Sequence, residues 1–158
     1  MSLRGGIGLP ELPIKDGQEF RLGIMGGTFD PIHYGHLVTA EQARESLDLD
    51  AVLFMPAGSP AFKLDKPVTP AEDRYAMTVL ATAANPAFLA SRFEIDRPGV
   101  TYTADTLHAL RNFYPTQVKL YFITGADAII DIVTWHNADE IAELATFIAA
   151  TRPGFDID

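Results

Sequence analysis

The chain of 158 residues contains no cysteine. That excludes disulfides, thiolate nucleophiles and thiolate metal sites, and it fits a reducing compartment. No apolar run approaches the ~20 residues that a membrane-spanning helix needs, and the N-terminus does not follow the charged-then-apolar order of a secretory signal. The expectation is a cytoplasmic protein with no membrane partner. Basic residues are scarce: 12 Lys and Arg stand against 21 Asp and Glu, a net charge of −9. A nucleic-acid polymer demands a basic face that displaces counterions, so none is expected as a partner. A small anionic ligand can still be met locally, by helix N-termini and a few cations. Tryptophan occurs once, at Trp135, and no internal repeat or low-complexity run is present.

What the chain does contain is enough apolar material for one core, with 47% of its residues hydrophobic. Residues 1–19 mix Gly5, Gly6, Gly8, Pro10 and Pro13 with little periodicity and are expected to form a flexible extension ahead of a domain over 20–158. A strand near Phe20–Met25 leads into a glycine turn, and Leu37, Ala40, Ala43, Arg44 and Leu47 then keep a helical spacing up to about Asp48. Ala51–Met55 is the unbroken apolar run of a strand covered on both faces. The proline-rich segment 56–70 reads as a loop at the carboxyl end of that strand, where open α/β sheets carry function. Thr69 as N-cap and Pro70 as first helical residue open a helix with an apolar stripe at Tyr75, Val79, Leu80 and Ala83. A short strand over Phe88–Ser91, a polar stretch over 92–102, a helix over 104–114 and a strand over 118–124 follow. A helix or turn around Ile129–Val133, a helix over 138–144 and a strand over 146–150 complete the pattern. Strands alternating with helices predict an α/β fold, an open parallel sheet with helices on both faces and right-handed crossovers.

The stretch Gly26-Gly27-Thr28-Phe29-Asp30-Pro31-Ile32-His33-Tyr34-Gly35-His36 joins the first strand to the first helix. Its glycines permit a sharp turn or a close approach of ligand to backbone. His33 and His36 stand at a helix entrance, where unpaired N–H groups and the positive end of the dipole favour anions. This is a phosphate site in outline. Taken singly, paired glycines are ordinary packing chemistry and a histidine is more often structural than catalytic. Taken together, the string resembles the signature of the HxGH nucleotidyltransferase superfamily, and its Gly-Gly-Thr-Phe-Asp-Pro form is most similar to that of the bacterial nicotinate-nucleotide adenylyltransferases. The resemblance implies a Rossmann-like fold and an enzyme that uses ATP and Mg²⁺ to adenylate nicotinate mononucleotide in NAD biosynthesis, with no covalent enzyme intermediate. A homo-oligomer is compatible with the sequence.

The same resemblance implies roles for individual residues. His36 is the main catalytic group with His33 beside it, both on the phosphates of ATP together with Gly26 and Gly27; Asp30 braces the loop, and Thr28 and Phe29 offer backbone donors to the substrate phosphate. Pro56-Ala57-Gly58-x-Pro60-x-x-Lys63 is similar to the family's proline-rich loop, with Ala61-Phe62 where Pro-His is frequent. Lys63 is either a substrate contact or a solvated loop lysine, and Lys66 reads as surface charge. Arg74 matches a basic position of the family, while Glu72 and Asp73 beside it offer an ordinary electrostatic explanation.

The run Phe93–Leu107 resembles the family's Glu-x-x-Arg-x-Gly-x-Ser-Tyr-Thr-x-Asp-Thr-Leu pattern, with Thr101 in place of serine. Thr101 and Thr103 are candidate caps for the next helix, with Asp105 and Thr106 in its first turn. The resemblance adds that Tyr102, Thr103 and the nearby N–H groups face the nicotinate. It assigns Gly125, Asp127 and Arg152 to ATP, and it sets the indole of Trp135 against the pyridine ring, in place of the core position usual for a lone tryptophan. The resemblance covers about residues 21–154. The family continues to a Ser-Ser/Ala-Thr-x-x-Arg segment that binds ATP phosphates, so the fold is expected to lack its C-terminal part here. Two other readings stay open. A phosphopantetheine-type nucleotidylyltransferase shares the histidine loop but gives no reason for Tyr102, Thr103 and Trp135, and a nucleotide-binding module without turnover needs only the binding residues.

Overall fold

The computed structural model describes residues 8–58, 68–97, 102–125 and 138–150. Five strands, β1 (Phe20–Gly27), β2 (Ala51–Pro56), β3 (Phe88–Ala90), β4 (Val118–Gly125) and β5 (Thr146–Ala150), form one sheet in the order β3-β2-β1-β4-β5. Every pairing is parallel: Leu22 lies opposite Ala51 and Leu120, Val52 opposite Phe88, and Tyr121 opposite Thr146. The helices are α1 (Tyr34–Leu47), α2 (Ala71–Thr82), α3 (Phe93–Asp96), α4 (Thr103–Phe113) and α5 (Ala138–Leu144). Among the described residues no helix is long and apolar enough to cross a membrane.

Alternation along the central strands sorts the core into two layers. Leu22, Ile24, Leu53 and Met55 face one side with Ala104, Leu107 and Leu110 of α4 and Ile141 of α5. Met25, Val52 and Phe54 face the other with Ala40 and Ala43 of α1, whose small side chains let that helix lie close to the sheet. All of β2 is buried, as its unbroken apolar run requires. Each fully buried Leu or Ile contributes roughly 1.5–3 kcal/mol relative to exposure. This is a Rossmann-like open sheet with helices on both faces.

Three expectations need correction. The segment ahead of β1 packs from Gly8 onward: Leu9 is 1% exposed in the first core layer, with Leu12 and Ile14 against it. Its carbonyls are met by side chains of the domain, Ser91 Oγ donating to Gly8 O (2.6 Å), the Tyr114 hydroxyl to Pro10 O (2.5 Å) and Gln117 Nε2 to Lys15 O (2.8 Å). A segment without periodicity can pack when its backbone is satisfied in this way. The second correction concerns α2, whose buried row is Arg74, Thr78 and Thr82, while Leu80 is 77% exposed and Val79 lies at the surface. Thr78 and Thr82 bury their hydroxyls without loss because each bonds the carbonyl one turn back, at 2.8 and 2.9 Å. Thr69 does not cap this helix; Pro70 is the N-cap and no side chain caps it. Lastly, the polar stretch after β3 contains the short helix α3, anchored by Phe93 in the core.

Candidate active site

The strand order reverses direction between β1 and β4, and in open parallel sheets the crevice at the carboxyl end of such a pair is where ligands bind. The carboxyl edge of β1 is Gly26–Gly27, and that of β4 is Gly125. From Gly27 the chain passes Thr28 and then Phe29, which is held at φ 52°, a left-handed conformation uncommon for a non-glycine residue. The Phe29 side chain is 3% exposed, packed against Phe54 and edge-on to His36 with ring centroids 4.9 Å apart.

His33 and His36 cap α1 reciprocally. His33, in extended conformation, accepts the Gly35 N–H on its Nδ1 (3.1 Å), and His36 accepts the His33 N–H on its own Nδ1 (3.0 Å). This is a capping box built from two imidazoles in place of a hydroxyl and a carboxylate. The two rings stack at 3.9 Å between centroids. Gly35 is required by the same packing: a Cβ there would stand 3.0 Å from His33 Cε1. The Gly35 and His36 amides, expected from sequence to await an anion, are instead taken by His33, since His36 N–H bonds His33 O at 3.0 Å. Because Nδ1 accepts in both rings, the neutral tautomer carries its proton on Nε2, and each ring presents an Nε2–H donor. Burial, and then the neighbouring His33, pull the His36 imidazolium down to about 4. His36 is thus neutral near pH 7, a hydrogen-bond donor without a fixed charge.

Around this turn the second loop is gathered by Arg74, which lies on the buried row of α2 and bonds main-chain carbonyls of the loops after β1 and β2. Asp30 Oδ2 accepts the Thr69 N–H at 2.9 Å, so this carboxylate spans from the histidine loop to the segment entering α2. On the far rim, Glu94 of α3 accepts from Thr106 Oγ1 of α4 at 2.8 Å. Burial pushes the Glu94 carboxyl up to about 7, against the opposing influence of the Thr106 hydroxyl and the Arg97 charge. Because β3 runs parallel to its neighbours, α3 and the start of α4 lie at the same edge of the sheet as the glycine turn. Thr103 is the first residue of α4, its N-cap Tyr102 provides no side-chain cap, and the Tyr102 ring is 62% exposed. Of the two candidate caps, Thr103 sits inside the helix and does not cap it, and Thr101 lies outside the described residues.

Of the residues singled out by sequence, Gly26, Gly27, Thr28, Phe29, His33, His36, Tyr102, Thr103 and Gly125 all fall at the carboxyl edge of the sheet. Lys63, Asp127, Trp135 and Arg152 lie outside the described residues. Arg74 and Glu94 gain a structural meaning that their sequence context hid. The signal for Arg74 was the spacing Arg74-Thr78-Thr82, a polar row at intervals of one helical turn. Among the described residues no group of three or more His, Asp or Glu is placed to hold a metal ion.

The cytidylyltransferase-like family model matches residues 24–158. Proteins described as probable nicotinate-nucleotide adenylyltransferase share 56% identity in Thermoanaerobacter sp. (strain X514), over 88% of this chain and 66% of that protein. The one from Moorella thermoacetica shares 60%, over 87% and 64%, and the one from Salinispora arenicola 59%, over 83% and 70%. The chain spans just under two thirds of the length of the first two of these relatives. Its fold matches that of Plasmodium falciparum nicotinic acid mononucleotide adenylyltransferase complexed with NaAD, with a TM-score of 0.74 at 23% identity over 89% of this chain and 68% of the other. The chain therefore belongs to the cytidylyltransferase-like family and, within it, to the nicotinate-nucleotide adenylyltransferase family.

Proposed function

We propose that the protein transfers the adenylyl group of ATP to the phosphate of nicotinate mononucleotide, forming nicotinate adenine dinucleotide and releasing pyrophosphate, a step of NAD biosynthesis. The observation that carries this reading is the pair of mutually capped imidazoles, each with Nε2–H as donor, at the carboxyl edge of β1 beside the switch point. The names of the relatives and the dinucleotide bound to the Plasmodium falciparum enzyme supply the substrate class.

In the proposed reaction an oxygen of the nicotinate mononucleotide phosphate attacks the α-phosphorus of ATP, and the bond from that phosphorus to the bridging oxygen of pyrophosphate breaks. No enzyme nucleophile is needed, so the protein's task is to align two anions and to stabilise charge at the transferring phosphorus. His36 and His33 donate from Nε2 to phosphate oxygens of ATP. The Gly26–Gly27 turn admits the phosphates close to the backbone, while Thr28 and Phe29 offer main-chain donors to the substrate phosphate. Gly125, with Asp127 and Arg152, contacts ATP; Lys63 contacts the substrate phosphate. The uncapped start of α4 at Tyr102 and Thr103 receives the nicotinate carboxylate, which a helix N-terminus favours, and Trp135 stacks on the pyridine ring. Magnesium enters with ATP, held by phosphates and water in the manner usual for this ion, since the described donors form no cage of their own.

The test is product identity. The full-length protein, given ATP labelled at the α-phosphorus, Mg²⁺ and nicotinate mononucleotide, is expected to place the label in a dinucleotide with one pyrophosphate released per transfer. Label appearing only as AMP or not moving at all would overturn the proposal.

A further inference from the structure

Arg74 is 1% exposed, and four hydrogen bonds from its guanidinium go to main-chain carbonyls: Nε to Thr69 O (2.7 Å), Nη1 to Thr28 O (2.9 Å) and Ala57 O (2.5 Å), and Nη2 to Gly58 O (3.0 Å). These carbonyls belong to three separate segments, the loop after β1, the loop after β2 and the approach to α2. Burial lowers the guanidinium pKa, and the Asp30 carboxylate acts in the opposite direction. Burying a charge is costly unless it is fully hydrogen-bonded, and an apolar residue fills a core position without that cost. Packing alone therefore gives no reason for arginine here. Its reach does: the planar fork bonds carbonyls along several edges at once, which a lysine ammonium on a single stem cannot reproduce.

Each tied segment leads to the site. Thr28 directly precedes Phe29, whose ring backs His36. Thr69 is gripped at both ends of its backbone, its carbonyl by Arg74 and its N–H by Asp30 of the histidine loop. Gly58 lies so close to α3 that a Cβ on it would come within 2.6 Å of Glu94 O, and Glu94 in turn accepts from Thr106 in the first turn of α4. A continuous chain of contacts thus runs from the histidine turn, through Arg74, to the rim formed by α3 and α4.

We propose that Arg74 is a positioning residue for adenylyl transfer, fixing the histidine turn relative to the Ala57–Gly58 turn so that the two reactants are held in line. The inference rests on the reaction proposed above, but the tie itself can be measured without turnover. In the full-length protein, Arg74→Lys is expected to fold, to keep both KM values within about 3-fold and to lose about 10²-fold in kcat, the scale of a misplacement near 1 Å. Amide exchange should quicken by about 10-fold at Ala57, which donates to Gly27 O, and at Thr69, while Val52, which donates to Ala87 O, stays protected. Millimolar methylguanidinium should restore turnover to Arg74→Ala by refilling the vacated site. Parental kcat and unchanged exchange at Ala57 and Thr69 in Arg74→Lys would overturn the proposal. So would unfolding of both variants with no rescue, which would make Arg74 a folding residue only. A parent without adenylyl transfer would sink the proposed reaction, while the exchange measurements would still decide whether Arg74 holds the two loops.

Discussion

His36 accepts the backbone N–H of His33 on Nδ1 at 3.0 Å while the two rings stack at 3.9 Å. The bonds that cap α1 also set the tautomer, so helix start and donor pair are one structure. Phe29 supports the arrangement from the core side, edge-on to His36. In the proposed reaction the rings would need no charge, since an N–H directed at a phosphate oxygen stabilises developing negative charge from either protonation state.

Removing that donor gives the first prediction. His36→Ala should lower kcat by about 10²–10³-fold, the usual cost of deleting one transition-state donor, with little change in KM for nicotinate mononucleotide. Steady-state kinetics with each substrate varied will check it. Near-parental kcat would remove His36 from the reaction.

The His36 ring should titrate near pH 4 in the ligand-free protein, against an ordinary value of 6.5, because burial and then His33 disfavour the imidazolium. The sign for stability follows. The unfolded chain takes up this proton between about pH 6.5 and 4 and the folded one does not, so stability present above 6.5 is lost as pH falls through that window. Histidine ring signals followed by NMR against pH provide the measurement, and a midpoint at 6.5 would contradict the packing described.

Gly35→Ala tests the coupling between helix start and ring placement. Alanine is the better helix former by up to about 1 kcal/mol, yet its Cβ would meet His33 Cε1 at 3.0 Å and displace that ring. The expected outcome is an unfolding midpoint at or below the parent's, because a displaced His33 no longer caps α1, with kcat/KM lowered about 10-fold or more. Thermal unfolding and kinetics on one preparation test both halves.

Glu94 carries the opposite pH sign. Its carboxyl is held up to about 7 from 4.5, so the folded state binds the proton more tightly, and the stability this provides is lost as pH rises through 7. Glu94→Gln should match the parent near pH 5 and exceed it near pH 8, by on the order of 1–3 kcal/mol. Denaturant unfolding at the two pH values is the check, and the same difference at both would show that Glu94 does not titrate in this range.

Much of this was legible in the sequence where local pattern and burial coincide. The unbroken apolar run of β2 and the strand-glycine-helix grammar of β1 and α1 read directly, because a strand covered on both faces has no polar option. Two features did not. The row Arg74-Thr78-Thr82 looks like a solvent face until one sees that the threonines satisfy themselves one turn back and that two loops bring carbonyls to the arginine. Leu9, Leu12 and Ile14 lack periodicity, and the segment joins the core where Ser91, Tyr114 and Gln117 bond the carbonyls of Gly8, Pro10 and Lys15. In both cases the determining contact is long-range in sequence, beyond the reach of local spacing. The histidine loop itself was readable as a strand-to-helix turn, but the reciprocal Nδ1 bonds that take the His33 and Gly35 amides were not.

The most direct test of the account is acceptor choice, measured as pyrophosphate release from ATP by the full-length protein with nicotinate mononucleotide, nicotinamide mononucleotide and phosphopantetheine in parallel. With the nicotinate at the start of α4, as proposed, a carboxylate would accept where an amide nitrogen would set donor against donor, and each unpaired polar group costs about 1–3 kcal/mol. The expected kcat/KM for the acid is roughly 10²-fold or more above that for the amide, with no turnover of phosphopantetheine. Robust turnover of phosphopantetheine with neither pyridine nucleotide used, or equal use of acid and amide, would contradict it.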